Sequence, residues 1–563
     1  MYLFRCLVFI IPSIIYGQWV QVGQDLYGLD EGDFYGSHTE ISGDGNTIAI
    51  SGNNTTDNGE YHCGYVKVFK NEEGNWVQFG DAIYGTGAYD YSSTISLSNN
   101  GNILAIGGLG NDENGFNHGI VRVYENVSGS WQQIGNSIYG NTSFFDFGNS
   151  ISLNDEGNIL AVSAYYGNKV MIYRFVFGNW EQIGSDIIES EQASFFGGNI
   201  SLNSEGNMIA IGAEHSNVNG MDRAGRVKVF ENINDSWVQV GNDIVGDAAY
   251  DYLSRVSFNS QGNILAIAAR QDYILSDNFT GYARVFKNVS GNWTQIGNDI
   301  RGALNDGVFN VSLNSEGNIL AIGAEHAYGD NTSGYVEVYK SNEANEWILL
   351  ENRVCGEALG DGIDIAINNE GNKFILGLPG SDIDGVNSGT ARVFEYDTNF
   401  PSDIEVCNNY ILPDLTAGNY YTLPNGNGEM LSPGLNITTN QTIYRYLGYN
   451  STCPYNQSFT VSVINSPIIE VSDSFTPNGD SVNDSFIILN IEFYPNATLK
   501  VFNRWGDLLY EKTKGYSNDW NGESNKGGSG LLPTGSYYYM LNLGDNSGCH
   551  TNTKYNGWVY LNY

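Results

Sequence analysis

Basic residues are scarce in this chain. Its 563 residues include 25 Lys and Arg against 63 Asp and Glu, for a formal net charge of −38. A surface that binds nucleic-acid phosphates needs clustered Lys and Arg, so this composition argues against a nucleic-acid partner. It is compatible with a well-solvated extracellular protein, including one that collects divalent cations.

Long helix-forming runs and long apolar runs are also missing. The main apolar stretch lies in residues 1–17, MYLFRCLVFIIPSIIYG, and is shorter than the ~20 residues that span a bilayer. One Arg, an apolar stretch and then a small residue predict a signal peptide over 1–17, and therefore export without a transmembrane segment. The 70 Gly and 38 Tyr favour short strands joined by tight turns.

Cysteines are few and show no metal-binding spacing. None lies in a CxxC motif or a Cys/His cluster, so no zinc site is predicted. At least one pair should be bridged in an oxidising compartment. The cysteines that follow the predicted signal peptide are Cys63, Cys355, Cys407, Cys453 and Cys549.

The sequence also lacks GxSxG, HExxH and P-loop motifs. Two acid–imidazole pairs, Glu214–His215 and Glu325–His326, end the repeated phrases SLNSEGNMIAIGAEH and SLNSEGNILAIGAEH. They occupy one phase of a repeat in units that are not neighbours, so we favour duplication or a shared turn role over catalysis. No catalytic residue is assigned.

Tryptophan reveals the repeat. Segments such as WVQVGQDLYG and WTQIGNDIRG recur 49 to 57 residues apart. Between them lie an alternating strand (ISLN), a second strand (NILAIG) and a third (VRVY), separated by N-x-E-G-N turns. Four strands per repeat predict the blades of a β-propeller. The repeats begin at Trp19, Trp76, Trp131, Trp180, Trp237, Trp293 and Trp347.

The strand order predicts how the ring closes. The first Trp strand precedes every other strand, and the last third strand, at 391–396, has no Trp strand after it. The N-terminal strand therefore completes the last blade, which removes a free sheet edge. We predict an all-β, seven-bladed β-propeller over 18–399.

These repeats resemble the FG-GAP-type propellers of exported bacterial proteins. The FG pair is present as Phe147–Gly148 and Phe196–Gly197, with Tyr35–Gly36 as a variant. Calcium-binding members carry a DxDxDG-like loop, whereas the corresponding turns here read NSEGN, NDEGN or NNEGN. No metal site or cofactor is assigned, and calcium remains open.

Aromatic–Asp motifs precede several of the ISLN-type strands: DFYG (33–36), YDYS (89–92), FDFG (145–148) and YDYL (250–253). One interpretation is that the rings fill gaps between blades and the acids cap turns. The other is a face of rings and carboxylates that binds sugars. The candidate ligand-binding residues are Asp33, Tyr35, Asp90, Tyr91, Asp146, Phe147, Asp251 and Tyr252. The sequence also places Cys63 and Cys355 on this face. A disulfide between them is one possibility, and it requires that their Cα atoms lie within about 7 Å.

Residues 403–466 change character, with short strands and Pro/Gly turns. CNNYILP and TIYRY resemble the Ig-like modules of Bacteroidetes surface proteins, which predicts a small β-sandwich. Its two well-separated cysteines predict a Cys407–Cys453 disulfide.

Residues 470–563 carry five ordered motifs: SFTPNGDSVNDSF, LKVFNRWGDLLYE, NDWNG, LPTGSYYYML and GWVYLNY. Together they resemble the gliding-motility-associated C-terminal domain, the type B sorting signal of the type IX secretion system. The resemblance implies that the secretion machinery is a partner and that the protein is secreted or held at the outer cell surface. We expect another small all-β domain, with Trp505, Trp520 and Trp558 in its core.

Three functions are compatible with this sequence. Degenerate repeats without a nucleophile–base motif favour a binding or adhesion protein whose propeller face takes a glycan or protein ligand. The alternative is an exported polysaccharide-active hydrolase or lyase, since a pair of carboxylates about 5 Å or 6.5–9.5 Å apart could be drawn from the many acids. A structural part of the motility machinery fits less well than an exported cargo.

Overall fold

The computed structural model forms two compact units, Met1–Phe400 with Tyr449–Tyr455 and Pro401–Gly448 with Asn456–Tyr563. The predicted signal peptide lies outside the described residues. The structure describes residues 18–53, 62–87, 89–141, 146–191, 194–271, 280–302, 306–326, 334–350, 353–356, 363–397, 401, 403–415, 418–446, 456–464, 467–528, 530–544 and 553–563.

The first unit contains seven antiparallel sheets of four or five strands. Each sheet begins with the ISLN-type strand on the inside, followed by the NILAIG-type strand. The innermost strands are Thr39–Ile41, Ser92–Leu97, Phe147–Leu153, Phe196–Leu202, Arg255–Phe258, Asp306–Leu313 and Asp364–Ile367. The second strands are Thr47–Gly52, Ile103–Gly108, Ile159–Ala164, Met208–Ala213, Ile264–Ala269, Ile319–His326 and Lys373–Leu378.

The third and outer strands complete each sheet. The third strands are Tyr65–Glu72, Ile120–Val127, Lys169–Val176, Arg226–Ile233, Tyr282–Val289, Tyr335–Ser341 and Thr390–Asp397. The outer strands are Gln18–Gln21, Asn75–Gln78, Ser130–Gln133, Asn179–Gln182, Ser236–Gln239, Asn292–Arg301 and Trp347–Leu349. Two-residue strands also pair with third strands at Leu26–Tyr27, Ile83–Tyr84, Ile138–Tyr139, Ile187–Ile188, Ile244–Val245 and Val354–Cys355.

The N-terminal strand completes the last sheet, as the strand order predicts. Gln18–Gln21 pairs antiparallel with Thr390–Asp397 and places Trp19 opposite Tyr396. The Trp19 ring is buried, with its centroid 4.8 Å from that of Phe374 and 5.2 Å from that of Tyr396. The strand therefore covers a sheet edge and fills the core beneath it.

The sheets form a closed ring, which is the arrangement of a β-propeller. Each innermost strand contacts the innermost strands of two neighbouring sheets, and the last of them contacts the first. At the end that carries the N-x-E-G-N turns, seven backbone hydrogen bonds of 2.8–3.2 Å join one sheet to the next. They run from N–H to carbonyl through Gly43, Asn99, Asp155, Ser204, Ser260, Ser315, Asn369 and back to Gly43.

Serines of the ISLN phrase also join neighbouring sheets. The hydroxyl oxygen of Ser152 accepts a hydrogen bond from the Leu202 N–H at 3.0 Å. Ser201 accepts one from Phe258, and Ser257 accepts one from Leu313. The inner edge of an innermost strand has no strand beside it, so these contacts supply partners for N–H groups that a buried edge would leave unsatisfied.

The second unit contains two separate groups of strands. In the first, a five-stranded sheet runs Ile404–Cys407, Asn456–Ile464, Gln441–Tyr446, Asn419–Tyr421 and Met430–Leu431, beside the pair Tyr410–Ile411 and Asn436–Ile437. In the second, the sheet runs Ser474–Phe475, Lys554–Leu561, Gly535–Asn542, Thr498–Phe502 and Leu508–Lys512. The short pairs Glu470–Val471 with Ile488–Leu489 and Glu523–Ser524 with Gly530–Leu531 accompany it.

Only one of the three tryptophans predicted for the core of 470–563 lies there. Trp520 is fully buried against Phe475 and Phe486. Trp505 is 75% exposed and Trp558 is 55% exposed, so that part of the prediction was wrong. Trp558 alternates with the buried Val559 along its strand, and Trp505 lies in the turn between Thr498–Phe502 and Leu508–Lys512.

The cysteines also correct one expectation. Cys355 is disulfide-bonded, whereas Cys63 is a buried thiol, so these two are not joined to each other. Cys63 precedes the third strand of the first sheet, and Cys355 pairs with Tyr335 in the sixth sheet; the seventh sheet lies between them. Cys407 is disulfide-bonded, but Cys453 lies outside the described residues, so that pairing stays a prediction.

Candidate functional site

The predicted site residues lie at the end of the ring opposite the N-x-E-G-N turns. Because the strands of each sheet alternate in direction, the connections from second to third strands share this end with the connections that enter each innermost strand. We call this end the loop face and the opposite end the turn face. Loops over one face of a rigid scaffold are the usual place for binding residues.

Three of the predicted aspartates hold turns on the loop face. The Asp33 carboxylate accepts backbone N–H groups of Leu29 at 2.8 Å and Asp30 at 2.9 Å. Asp90 and Asp251 likewise accept N–H groups four and three residues before them, at 2.8–3.0 Å. All three side chains are buried. These contacts match the turn-capping interpretation, while a role in ligand binding stays a prediction.

Asp146 occupies a different position in the motif. Its φ of +46° matches that of Phe34, Tyr91 and Tyr252, which follow the capping aspartates directly. Burial raises the pKa of the Asp146 carboxyl above its ordinary value. The FDFG motif is thus offset by one residue from DFYG, and Asp146 stands where the other loops carry a ring.

The predicted aromatic residues divide between the core and the surface. Tyr35 and Phe147 are buried, and Tyr35 stacks on Tyr65 with centroids 5.7 Å apart. Tyr91 is half-buried and stacks on His62 at 5.8 Å, whereas Tyr252 is only 4% exposed. The first two rings fill gaps in the core, and the other two lie at or just below the loop face.

A continuous row of rings crosses the loop face over the third, fourth and fifth sheets. The Tyr165 ring lies 4.5 Å from Phe195, Phe195 lies 4.1 Å from His215, and His215 lies 5.4 Å from Tyr252, between centroids. Tyr165 and His215 each follow the second strand of their own sheet. Each contacts a ring that precedes the innermost strand of the next sheet, Phe195 and Tyr252 respectively. We call these four side chains the aromatic row.

Phe195 and Tyr252 in this row have φ of +58° and +51°. A non-glycine residue in this region costs about 1 kcal/mol or more, so the surrounding loops must hold these rings in place. Such outliers concentrate at functional sites. Tyr166, beside the row and 5.4 Å from Phe195, is 51% exposed.

The pair Glu214–His215 belongs to the row rather than to a separate turn. Glu214 accepts a hydrogen bond from the Tyr165 hydroxyl at 2.7 Å and lies 3.9 Å from His215 Nε2. Burial lowers the pKa of His215 below its ordinary value. The nearby Glu214 carboxylate raises this pKa, whereas the charges of Arg223 and Arg270 lower it further. The side chains of Glu325 and His326 lie outside the described residues.

A cavity of about 440 Å³ opens in the centre of the ring and is lined by all seven innermost strands. Its polar wall includes His38, Glu40, Arg255, Asn310 and Asp364. Gly198 also lines it, and a Cβ at Gly198 would lie 3.0 Å from the Tyr165 ring. The cavity therefore reaches the aromatic row at its rim.

The cavity perturbs its titratable groups. Burial raises the pKa of Glu40 to about 8, with a smaller contribution from Asp364. Burial also raises the pKa of Asp364 to about 7, although Thr39 and the Asn310 amide donate hydrogen bonds to it. Burial, and then the charge of Arg255, lower the pKa of His38 to about 4. With these pKa values, Glu40 is mostly protonated and His38 is neutral at neutral pH.

These cavity residues were not among the sequence candidates. His38, Asn199, Arg255, Asn310 and Asp364 stand at one phase of the repeat, three residues before the last residue of each innermost strand. That phase carries small polar residues in the second and third sheets, at Thr94 and Ser150. A search for charged residues within the ISLN-type strand phrases would have found His38, Arg255 and Asp364.

No group of three or more His, Cys, Asp or Glu side chains within the described ranges is arranged to hold a metal ion. Within the same ranges, no helix is both long and apolar enough to span a membrane.

Comparison with known proteins identifies the C-terminal segment. Residues 469–561 match the CHU_C Type IX secretion signal domain. This domain engages the type IX secretion machinery, so the chain is exported and is then secreted or attached at the cell surface. No curated protein sequence matches the chain.

Solved structures with similar folds cover about two thirds to three quarters of the chain. The RRP9 WD40 repeats match at 10% identity and a TM-score of 0.44, covering 67% of this chain and 100% of that one. The Cps50 (Swd1) β-propeller domain of Myceliophteria thermophila matches at 10% identity and a TM-score of 0.44. The match covers 66% of this chain and 99% of that one. The periplasmic gluconolactonase PpgL of Pseudomonas aeruginosa matches at 14% identity and a TM-score of 0.43. The match covers 73% of this chain and 98% of that one. The fold assignment rests on the sheets themselves.

Proposed function

We propose that this chain is a secreted or cell-surface binding and adhesion protein, exported by the type IX pathway, whose loop face binds a glycan or protein ligand. The observation that carries the proposal is the aromatic row beside an open polar cavity. Rings held in a row present flat apolar faces, and the cavity adds hydrogen-bonding groups at their edge. Ligand sites commonly combine these two features.

Export supports an extracellular ligand. Residues 469–561 match a secretion signal, so the propeller acts outside the cell. Half-buried rings on an exported surface lose part of their hydration when a sugar or peptide covers them, and that loss favours binding. Tyr166 and Tyr89, each more than half exposed, extend this ring-bearing surface.

A polysaccharide-active hydrolase or lyase is the second candidate. Glu40 and Asp364 line the same cavity. Burial raises the pKa of Glu40 to about 8 and that of Asp364 to about 7. A carboxyl group that stays protonated near neutral pH can act as a general acid. In this alternative the cavity carries the chemistry and the aromatic row holds the chain of sugars.

The finer architecture belongs to the same proposal. We interpret residues 1–17 as a signal peptide, the seven sheets of 18–399 as the blades of an FG-GAP-type propeller, and residues 403–466 as an Ig-like module. Along the sequence, this module lies between the propeller and the sorting domain at 470–563. Fold alone does not dictate activity, so the functional proposal depends on the loop face.

One experiment tests both candidates. The purified protein is incubated with a panel of polysaccharides and glycoproteins, with and without calcium, and retention and released products are recorded together. Retention without products supports the binding protein. New reducing ends or unsaturated products support the enzyme, and they should then disappear in Glu40→Gln or Asp364→Asn. Neither retention nor products across the panel would contradict both.

A further inference from the structure

Most arginines of the first unit are neutralised by a carboxylate. The pairs are Arg122 with Glu113, Arg174 with Asp235, Arg226 with Glu189, Arg284 with Asp299, Arg301 with Asp299, Arg353 with Glu337 and Arg392 with Asp25. With 63 Asp and Glu in the chain, such pairing is the expected state of an arginine.

Arg223 and Arg255 differ from this pattern. Both side chains are exposed, and neither is in an ion pair with any described residue. Both lie on the loop face beside the aromatic row. Arg223 Nη1 donates to the Tyr252 hydroxyl at 3.3 Å, and Arg255 lines the cavity whose rim meets Tyr165.

A third arginine lies on the same surface. The Arg270 guanidinium lies over the Tyr252 ring, 5.0 Å from its centroid. Cation–π contact holds the guanidinium against the ring. The row thus has Arg223 and Arg270 at its Tyr252 end and Arg255 at the cavity.

Three acids of this region already accept hydrogen bonds. Glu214 accepts from Tyr165, and Asp364 accepts from Thr39 and Asn310. Asp251 is buried and accepts from the Tyr282 hydroxyl and the N–H groups of its turn. Asp222, next to Arg223 in the chain, is exposed, and its charge is one of the smaller causes that raise the pKa of Arg223. Arg223 and Arg255 therefore face solvent without the ion pair that the other listed arginines make to a described carboxylate.

We propose that the ligand of the loop face is an anionic saccharide, a chain of pyranose rings that carry carboxylate or sulfate groups. Sugar rings would lie against the aromatic row, and their anionic groups would bind Arg223 and Arg255. A guanidinium forms two parallel hydrogen bonds to a carboxylate or sulfate, which gives both affinity and orientation. This inference rests on the proposed binding function and names its ligand class.

Matched polymers test the ligand class. Binding of the full chain is measured against polygalacturonate and against its fully methyl-esterified form, which has the same backbone without the charge. A sulfated galactan and its desulfated form make a second pair that separates sulfate from carboxylate. We expect the charged member of at least one pair to bind about tenfold more tightly, the effect of one or two charge-assisted hydrogen bonds.

Paired variants locate the effect. The double variant Arg223→Gln/Arg255→Gln should lose about tenfold or more in affinity for the charged polymer. Arg174→Gln, which removes one positive charge near the turn face, should bind as the unaltered protein does. Equal binding of charged and neutral polymers, unaffected by the double variant, would overturn this inference and leave the proposed binding function standing. Binding to none of the polymers, with a glycoprotein bound instead, would also overturn it.

Discussion

The backbone N–H of Asn369 donates a hydrogen bond to the carbonyl oxygen of Gly43 at 3.1 Å. These residues are more than 300 positions apart, and their bond is the one that completes the circle of seven on the turn face. The amide of Asn369 also donates to the Asn99 side chain at 2.8 Å. Closure therefore occurs twice, once through this circle and once through the N-terminal strand.

The N-terminal closure predicts a strong effect of Trp19→Ala. Trp19 is 1% exposed and packs on Phe374 and Tyr396, so its truncation leaves a large cavity at the sheet that joins the two ends of the ring. We expect the free energy of unfolding to fall by about 3–5 kcal/mol. Denaturant titration measures it. Phe177→Ala is the control, because Phe177 is fully exposed and should give little change. Equal effects of the two changes would contradict closure by this strand.

The cavity predicts a pH-dependent effect of Glu40→Gln. Burial raises the pKa of Glu40 to about 8 from 4.5, so the folded state binds this proton more tightly than the unfolded state. The contribution of protonated Glu40 to the free energy of unfolding is fully present below about pH 4.5. It is lost as the pH rises through about 8. The glutamine variant cannot ionise, so it should be more stable than the unaltered protein by roughly 1–3 kcal/mol at pH 9 and nearly equal at pH 4.

Melting temperatures across this pH range measure the difference. Asp364, with a pKa near 7, contributes in the same direction and is still present in the variant. Glu181→Gln, at an exposed strand position, serves as the control. A difference that does not change with pH would contradict a buried, protonated Glu40.

Turn capping predicts that Asp251→Ala reduces stability. The change leaves the N–H groups of Asp247 and Ala248 and the Tyr282 hydroxyl without their acceptor. We expect a loss of about 2 kcal/mol, measured by denaturant unfolding. Asp384→Ala, at an exposed loop position, should change it little. If Asp251→Ala instead kept full stability but lost ligand, the aspartate would be a binding group.

The C-terminal domain predicts different effects of its tryptophans. Trp520→Ala removes a fully buried ring whose Nε1 donates to the Glu523 carbonyl at 3.0 Å. It should destabilise this domain by about 3–5 kcal/mol, whereas Trp558→Ala should cost under about 1 kcal/mol. Hydrogen exchange of residues 498–542 in the full chain reports the difference. Similar exchange in both variants would contradict the assigned core.

Sequence alone predicts the repeats, their strands and the N-terminal closure, because hydrophobic alternation and the Trp spacing are local patterns. It does not resolve the site. FDFG looks like DFYG, yet a one-residue offset places Asp146 where Phe34 stands, and only the backbone φ angles reveal this. His38, Arg255 and Asp364 meet in the cavity only after the ring closes. Trp558 was misassigned because the alternation of a short strand does not reveal which of its two faces is covered, and Trp505 was misassigned because it lies in a turn.

The most direct test compares the two faces of the ring with one ligand. The double variant Tyr166→Ala/Phe195→Ala removes rings from the loop face, and Phe177→Ala removes an exposed ring from the turn face. Affinity for whichever polysaccharide or glycoprotein the panel retains is measured for each by calorimetry. If the loop face binds the ligand, we expect the loop-face variant to lose about tenfold or more in affinity with its melting temperature little changed, and Phe177→Ala to lose none. Unchanged binding by the loop-face variant, or a loss for Phe177→Ala, would contradict it.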